Sequence, residues 1–499
     1  MIYNILLALY LVGTVVGLWF VFKKAGIAPW KALVPVYNIV VWIKMCNKKW
    51  TWYVYFLIPA INIFMFLLMV QETARVFRRY SFWEQLLAVI FPWVYLPIVG
   101  LSPKMQYHDP HVDPPKKVSE ARDWLDAIAF AIVAAVIIRG NVFELYGIPS
   151  SSMEKSLLVG DHLLVSKIAY GPRVAMTPLS LPLIHNTIPG TGDRVESYLK
   201  WIELPYHRYP GYTTIKRFDA VVFNFPEGDT TLNASPTNLV TYYDAKNGGA
   251  EMRPWLADGY RVRPLDKKQN YIKRCIGMPG DDLQIIDRQV YINGKPLQLP
   301  DEAQFKYYPV FREGTNVARL LENYGVSQED IYRFSQGDGL PLTQQQYNSL
   351  KESDHVLSLE HFAHENISQG IHMFPHTANN TWSMNNYGPL HIPAKGETLT
   401  LNDSTLPFYH RLITTYEGNT LEVRDGKIYI NGQQTDTYTC RQNYYWMMGD
   451  SRHNSQDSRV WGYVPEDHIS GKARWILWSW DKDNKRMRWN RTFRNASAY

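Results

Sequence analysis

The N-terminal residues constrain this chain most. Residues 2–22 form an almost uninterrupted apolar run that ends at Lys23 and Lys24. An α-helix rises about 1.5 Å per residue, so about 20 such residues cross the hydrocarbon core of a bilayer. A cleavable secretory signal carries its positive charge ahead of the apolar run. Here the charge follows, and the segment reads as a retained anchor.

Further apolar runs come next. Residues 50–70 read as a second span with aromatic residues at its start, where an interface belt would lie. Residues 82–101 are a third candidate, weakened by Pro92 and Pro97. Residues 121–138, preceded by Lys116 and Lys117, are the last. Residues 30–45, interrupted by Pro35 and Asn38, fit an interfacial or re-entrant segment better. With Pro-Val-Tyr-Asn at 35–38 and Ile-Pro-Ala-Ile-Asn at 58–62, the stretch 27–101 resembles a small helical membrane module found fused to other proteins; no activity follows from it. Basic residues favour the cytoplasmic side. If residue 152 faces outward, the 102–122 loop is cytoplasmic, and Arg75, Arg78 and Arg79 fall outside should 82–101 cross. Either 82–101 is re-entrant or one basic loop breaks the tendency.

The formal net charge is +6. The basic residues flank apolar runs, and neither a zinc pattern nor an aromatic RNA-binding signature accompanies them, so nucleic acid is not an expected partner. Cys46, Cys275 and Cys440 do not make a disulfide framework. Cys275 reads as a small buried filler, and a Cys275–Cys440 bridge stays open.

Beyond about residue 145 no span-length run remains. Short apolar runs alternate with Gly, Pro, Asn and Asp, and residues 220–226, 290–294, 428–432 and 474–480 read as strands. Two Tyr-Ile-Asn-Gly copies, at 291–294 and 429–432, look like hairpins closing on Asn-Gly turns. Residues 328–334 and 343–350 add short helices. Residues 171–217 and 300–397, rich in Pro, Tyr and polar side chains, read as inserted cap regions. The domain plan is a helical membrane module and loop over 1–120, a transmembrane helix over 121–140, and a β-rich domain over 141–499.

Three blocks carry the chemistry: Ile148-Pro149-Ser150-Ser151-Ser152-Met153-Glu154-Lys155-Ser156, Tyr271-Ile272-Lys273-Arg274-Cys275-Ile276-Gly277-Met278-Pro279-Gly280-Asp281, and Met448-Gly449-Asp450-Ser451-Arg452-His453-Asn454-Ser455-Gln456-Asp457-Ser458-Arg459. A serine is a competent nucleophile when a base takes its proton, and a lysine is a base once apolar burial depresses its pKa. Tyr271, Ile272, Cys275, Ile276 and Met278 offer Lys273 such surroundings. In this order the blocks resemble the type I signal peptidases, membrane-bound serine proteases with a Ser-Lys dyad.

The resemblance implies a membrane-anchored, mainly β fold: N-terminal transmembrane helices followed by a β-rich catalytic domain with large insertions. It covers roughly residues 121–481, with the inserted regions unmatched. It implies Ser152 as nucleophile, Lys273 as general base, and Ser150 helping the Ser152 N–H hold the oxyanion. Ser455 would orient the lysine, and Asp457 and Arg459 would brace the site. Met153 and the strand around Phe223 would line the substrate cleft. The implied partners are exported preproteins with Ala-x-Ala-type cleavage sites and membrane lipid. No cofactor or metal is implied, and the implied location is the cytoplasmic membrane of a bacterium, multi-pass, with the catalytic domain outside. Trp475, Trp478 and Trp480 are either β core or an apolar edge resting on the bilayer.

This chain departs from the family's pattern in places. The family commonly has glycine where Ser151 stands and a Pro-Thr pair where Lys155-Ser156 stands, and Ser451 and His453 replace more usual residues. Ser152-Met153-Glu154-Lys155 also spells S-x-x-K, the pattern of acyl-serine enzymes of penicillin-binding type, although no Lys-Thr-Gly follows. A non-catalytic receptor or chaperone on the same fold would be marked by loss of the serine or lysine, and both are present. Glu360-His361-Phe362-Ala363-His364-Glu365 is not an H-E-x-x-H motif and reads as a polar face.

Overall fold

A computed structural model gives the structure of the chain. It describes residues 2–496 apart from 59–60, 117–118, 192–194, 234–241, 248–252, 363–372, 378–379 and 483, so His364 and Glu365 lie outside the described residues. Two compact units emerge, Met1–Val142 and Phe143–Tyr499.

The first unit is helical: α1 (Ile2–Lys24), α2 (Tyr37–Met45), α3 (Thr51–Leu57), α4 (Ile61–Val76), α5 (Phe82–Ile90), α6 (Pro92–Leu101) and α7 (Glu120–Asn141). Among the described residues, one helical stretch is long and apolar enough to cross a membrane unbroken, Leu7–Lys24 of α1. Of the other spans expected from sequence, residues 50–70 and 82–101 are interrupted by helix breaks, while residues 121–138 lie on the unbroken α7, which does not reach that apolarity. Residues 50–70 divide into α3 and α4, because Ile58 is extended (φ −86, ψ 118) ahead of Pro59, the conformation a proline favours in the residue before it. Residues 82–101 bend by 118° between α5 and α6. Pro92 opens α6 and Phe91 leaves helical geometry (φ −124, ψ 56), since a proline ring clashes with a preceding helical turn. The bend is the geometry of a broken or re-entrant segment.

Glycines let α1 and α6 approach closely. A Cβ on Gly17 would lie 2.5 Å from that of Leu96, and one on Gly100 would lie 2.4 Å from that of Phe20. Small residues at such crossings bring backbones into van der Waals contact, the main source of helix association where no water is expelled.

The second unit is mainly β. Its principal sheet runs Phe143–Gly147, Asp161–Ser166, Ile469–Asp481, Ala220–Asn224, Asn270–Gly277, Tyr444–Met448, Val464–Pro465, every neighbour antiparallel. Successive strand residues point to opposite faces, and Ala220–Asn224 is buried on both. Val222 packs with Met153, Leu163 and Ile476, whereas Val221 and Phe223 pack with Cys275 and Trp461. That double burial explains why this strand reads as a continuous apolar run.

Both Asn-Gly hairpins form. Asn293 and Gly294 have φ 52 and 73, and Asn431 and Gly432 have φ 51 and 79, the positive pair a two-residue hairpin turn demands. They belong to two small sheets around the largest core cluster, which includes Leu283, Tyr387, Trp446 and Tyr463. Residues 300–397 do not act as one inserted piece. Gln304–Phe311, Leu340–Thr343 and Val356–His361 form a separate sheet with its own core around Tyr307, Leu321, Ile331 and Leu350. Tyr387–His391 instead pairs with Asp282–Ile286 in the main body. The helices expected at 328–334 and 343–350 appear as Gln328–Ser335 and Gln344–Lys351. All three cysteines are buried and free, which closes the Cys275–Cys440 alternative.

Candidate active site

Ser152 occupies a single 3-10 turn, Ser151–Met153, entered from extended Ser150. The segment after it is anchored from below. Met153 and Leu157 sink into the core, and the Asp161 carboxylate accepts from Leu158 N–H at 2.9 Å and from the Arg491 guanidinium at 2.7 Å. These contacts fix the residues that follow Ser152.

Lys273 lies on Asn270–Gly277, opposite Val221 of the neighbouring strand. Its Nζ donates to Ser152 Oγ at 2.5 Å, and the residue is 3% exposed. Burial pushes the amine's pKa down from 10.5 to about 8, against the opposing pull of Asp457 and Asp450. The next residue, Arg274, grips Asp450 with two hydrogen bonds of 2.7 and 2.6 Å and donates to Ser156 Oγ at 3.0 Å. Adjacent residues of one strand thus reach two points of one loop, Ser152 and Ser156.

The third block closes the site. Asp457 accepts from Gly449 N–H at 3.0 Å and from Arg459 Nε and Nη2 at 2.9 and 2.8 Å. Burial would push the Asp457 carboxyl up, but the Arg459 guanidinium holds it below its ordinary value. Arg459 also donates to the carbonyls of Arg452 at 2.6 Å and Met384 at 3.2 Å. Ser451 N–H donates to the Ser152 carbonyl at 3.1 Å. Gly449 leaves no room for a side chain: a Cβ there would lie 2.2 Å from Ser455 Oγ and 2.6 Å from Ser152 O.

Several sequence assignments are placed differently. Ser150 is exposed at the mouth of the turn. Ser455 Oγ has a 3.4 Å contact to the Gln456 carbonyl and sits against Gly449; among the described residues it makes no hydrogen bond to Lys273. Met153 and Phe223, expected to line the cleft, are fully buried, and what they contribute here is core packing. Lys155 does not face Ser152; its amine donates to the Gly325 carbonyl at 2.6 Å. His453 is held neutral by burial and by Arg459, its pKa pushed down to about 3. Trp475 and Trp480 are about half exposed, and Trp478 stacks on His162 with ring centroids 4.4 Å apart. The sequence carries no separate signal for Arg274 and Asp450, although both stand inside the quoted blocks.

A serine hydroxyl bonded to a buried lysine amine on a mainly β scaffold is an arrangement that serine-hydrolase chemistry can use. Comparison with known proteins narrows the class. Residues 121–356 and 390–478 match the family described as signal peptidase, peptidase S26, and the chain belongs to that family of serine endopeptidases. Residues 171–217 fall inside the match, as do 300–356 and 390–397, where the sequence suggested unmatched insertions. Residues 30–110 match a family of unknown function.

A signal peptidase I of Haemophilus influenzae is 24% identical over 369 residues, 73% of this chain and 72% of that protein. One of Buchnera aphidicola is 23% identical over 353 residues, 70% and 73% of the two chains. One of Rickettsia conorii is 25% identical over 291 residues, 55% of this chain and 86% of that protein.

Proposed function

We propose that this protein removes N-terminal signal peptides from exported preproteins, using Ser152 as nucleophile and neutral Lys273 as general base. The observation that carries the reading is the 2.5 Å hydrogen bond between Lys273 Nζ and Ser152 Oγ. Lys273 takes the hydroxyl proton as Oγ attacks the scissile carbonyl, then delivers it to the departing amine. The Ser152 N–H and the Ser150 hydroxyl hold the oxyanion. A water deprotonated by Lys273 then hydrolyses the acyl-serine. Asp457 and Arg459 act indirectly, by fixing the Gly449 turn against Ser152, and Ser455 shapes the lysine pocket through the same glycine.

The substrate class follows from the family and from where the site would work. A preprotein reaches the outer face of a bacterial cytoplasmic membrane tethered by its own apolar segment. Holding the catalytic unit at that surface through the N-terminal helices raises the effective concentration of the cleavage site. Ala-x-Ala-type sites are the expected sequence, and the half-exposed Trp475 and Trp480 suit an edge resting among lipid headgroups. Cleavage of such a preprotein by detergent-purified protein, lost in Ser152→Ala and Lys273→Ala, tests the assignment.

A further inference from the structure

Residues 151, 155, 451 and 453 of the motif blocks meet the subdomain built on Gln304–Phe311, Leu340–Thr343 and Val356–His361. Lys155 donates to the carbonyl of Gly325 at 2.6 Å. His453 Nδ1 accepts from Lys306 N–H at 3.1 Å. Ser451 bridges in parallel to Gln304, whose N–H donates to the Asp450 carbonyl at 2.8 Å and whose carbonyl accepts from Arg452 N–H at 2.9 Å.

Ser151 is reached through a relay. Its Oγ accepts from Asn454 Nδ2 at 2.8 Å, Asn454 Oδ1 accepts from Arg333 Nη1 at 3.0 Å, and Arg333 Nη2 is paired with Glu329 at 2.6 Å. Glycine at position 151 would offer Asn454 no hydroxyl, and proline at position 155 no amine for Gly325. The Ser151 hydroxyl and the Lys155 amine are therefore the two side chains through which the subdomain reaches the Ser152 turn.

We infer that the subdomain is a clamp that positions the Ser152 turn, with Arg333 acting through Asn454 on Ser151 and Lys155 acting through the Gly325 carbonyl. The inference rests on Ser152 being the nucleophile. The contacts grip the turn one residue before Ser152 and three after it, and Ser451 N–H holds the Ser152 carbonyl between them. A second feature lies on the same seam. Glu154, buried beside Lys155, has its pKa pushed up to about 7 by burial and by the nearby Asp330 of the subdomain. Arg333 and Lys155 are positioning residues, since neither touches the reacting atoms. A loosened clamp leaves substrate binding intact and lowers the fraction of complexes in which Oγ sits on the lysine.

The test uses the full-length protein in detergent with Arg333→Ala, Lys155→Met, the double variant and Arg333→Lys. Steady-state cleavage of an Ala-x-Ala preprotein is measured together with amide hydrogen exchange. The double variant should lose kcat by about tenfold or more with KM little changed. Exchange over residues 150–157 should quicken while the strand Asn270–Gly277 stays protected, and Arg333→Lys should recover most of the single-variant loss. Wild-type kcat and exchange in the double variant overturn the clamp. Faster exchange across Asn270–Gly277 as well would mean general destabilisation, and also overturns it. Ser152→Ala is run alongside. Were it to cleave like wild type, the nucleophile assignment itself would fall; were it inactive while the double variant matched wild type, the clamp alone would.

Discussion

Lys273 Nζ stands 2.5 Å from Ser152 Oγ although the two residues lie 121 positions apart in sequence. In the proposed mechanism the pair works because the amine is buried. An exposed lysine is protonated at neutral pH and has no lone pair to accept a proton, whereas burial disfavours its charged form. Nearby Asp457 and Asp450 keep the shift from running further.

A pH profile reads this directly. With the amine's pKa at about 8, kcat/KM should climb about tenfold per unit at lower pH and level off above that value. Stability moves with the same group. The unfolded chain binds the proton up to 10.5 and the folded chain only to about 8, so stability rises with pH between those values and the full cost is present below them. Lys273→Met should therefore be more stable than wild type at pH 7, by up to about 3 kcal/mol in thermal unfolding.

The Arg274–Asp450 pair, 1% and 0% exposed, ties the lysine strand to the Ser152 loop through Ser156. Removing Asp450 leaves the buried Arg274 guanidinium without this carboxylate. Asp450→Ala should cost roughly 3–5 kcal/mol in denaturant unfolding, far more than an exposed pair such as Arg424–Glu422.

Gly449→Ala tests the close approach behind Ser152. The new methyl would meet Ser455 Oγ at 2.2 Å and Ser152 O at 2.6 Å, so the turn has to move. A displacement near 1 Å costs about a hundredfold in rate. The expected result is a kcat loss of that order in a variant that keeps the wild-type circular dichroism spectrum.

The 118° bend between α5 and α6 bears on topology. In a re-entrant pair the flanks share one side of the membrane. Ser81→Cys and Lys104→Cys, both at exposed positions, should then react with an impermeant maleimide from the same face of sealed vesicles. Labelling from opposite faces would make the pair a bent span.

The sequence made the candidate site's serine and lysine legible because their signals are local. A serine in an Ile-Pro-Ser turn, a lysine among apolar residues and the Gly-Asp to Asp-Ser-Arg block each carry their own signal, as do the Asn-Gly hairpins at Asn293 and Asn431. Facing was not legible. Ala220–Asn224 is buried on both sides, so nothing in its apolar run says that Phe223 points into core against Trp461, and Met153 beside a nucleophile reads equally as cleft or core. Distant pairing was also hidden. Tyr387–His391 lies in a Pro- and polar-rich stretch, yet it pairs with Asp282–Ile286 roughly a hundred positions earlier. Arg274 and Asp450 sit in two recognised blocks, but only the antiparallel register of Met448 opposite Arg274 brings them together.

The dyad itself is tested most directly by cleavage of an Ala-x-Ala preprotein, comparing wild type with Ser152→Ala, Lys273→Ala and Lys155→Ala. Ser152→Ala should be inactive, and Lys273→Ala should lose at least about 10²–10⁴-fold. Lys155→Ala should still cleave at a reduced but readily measured rate. Cleavage by Lys273→Ala at the wild-type rate, or inactivity of Lys155→Ala alongside an active Lys273→Ala, would contradict the pairing of Ser152 with Lys273.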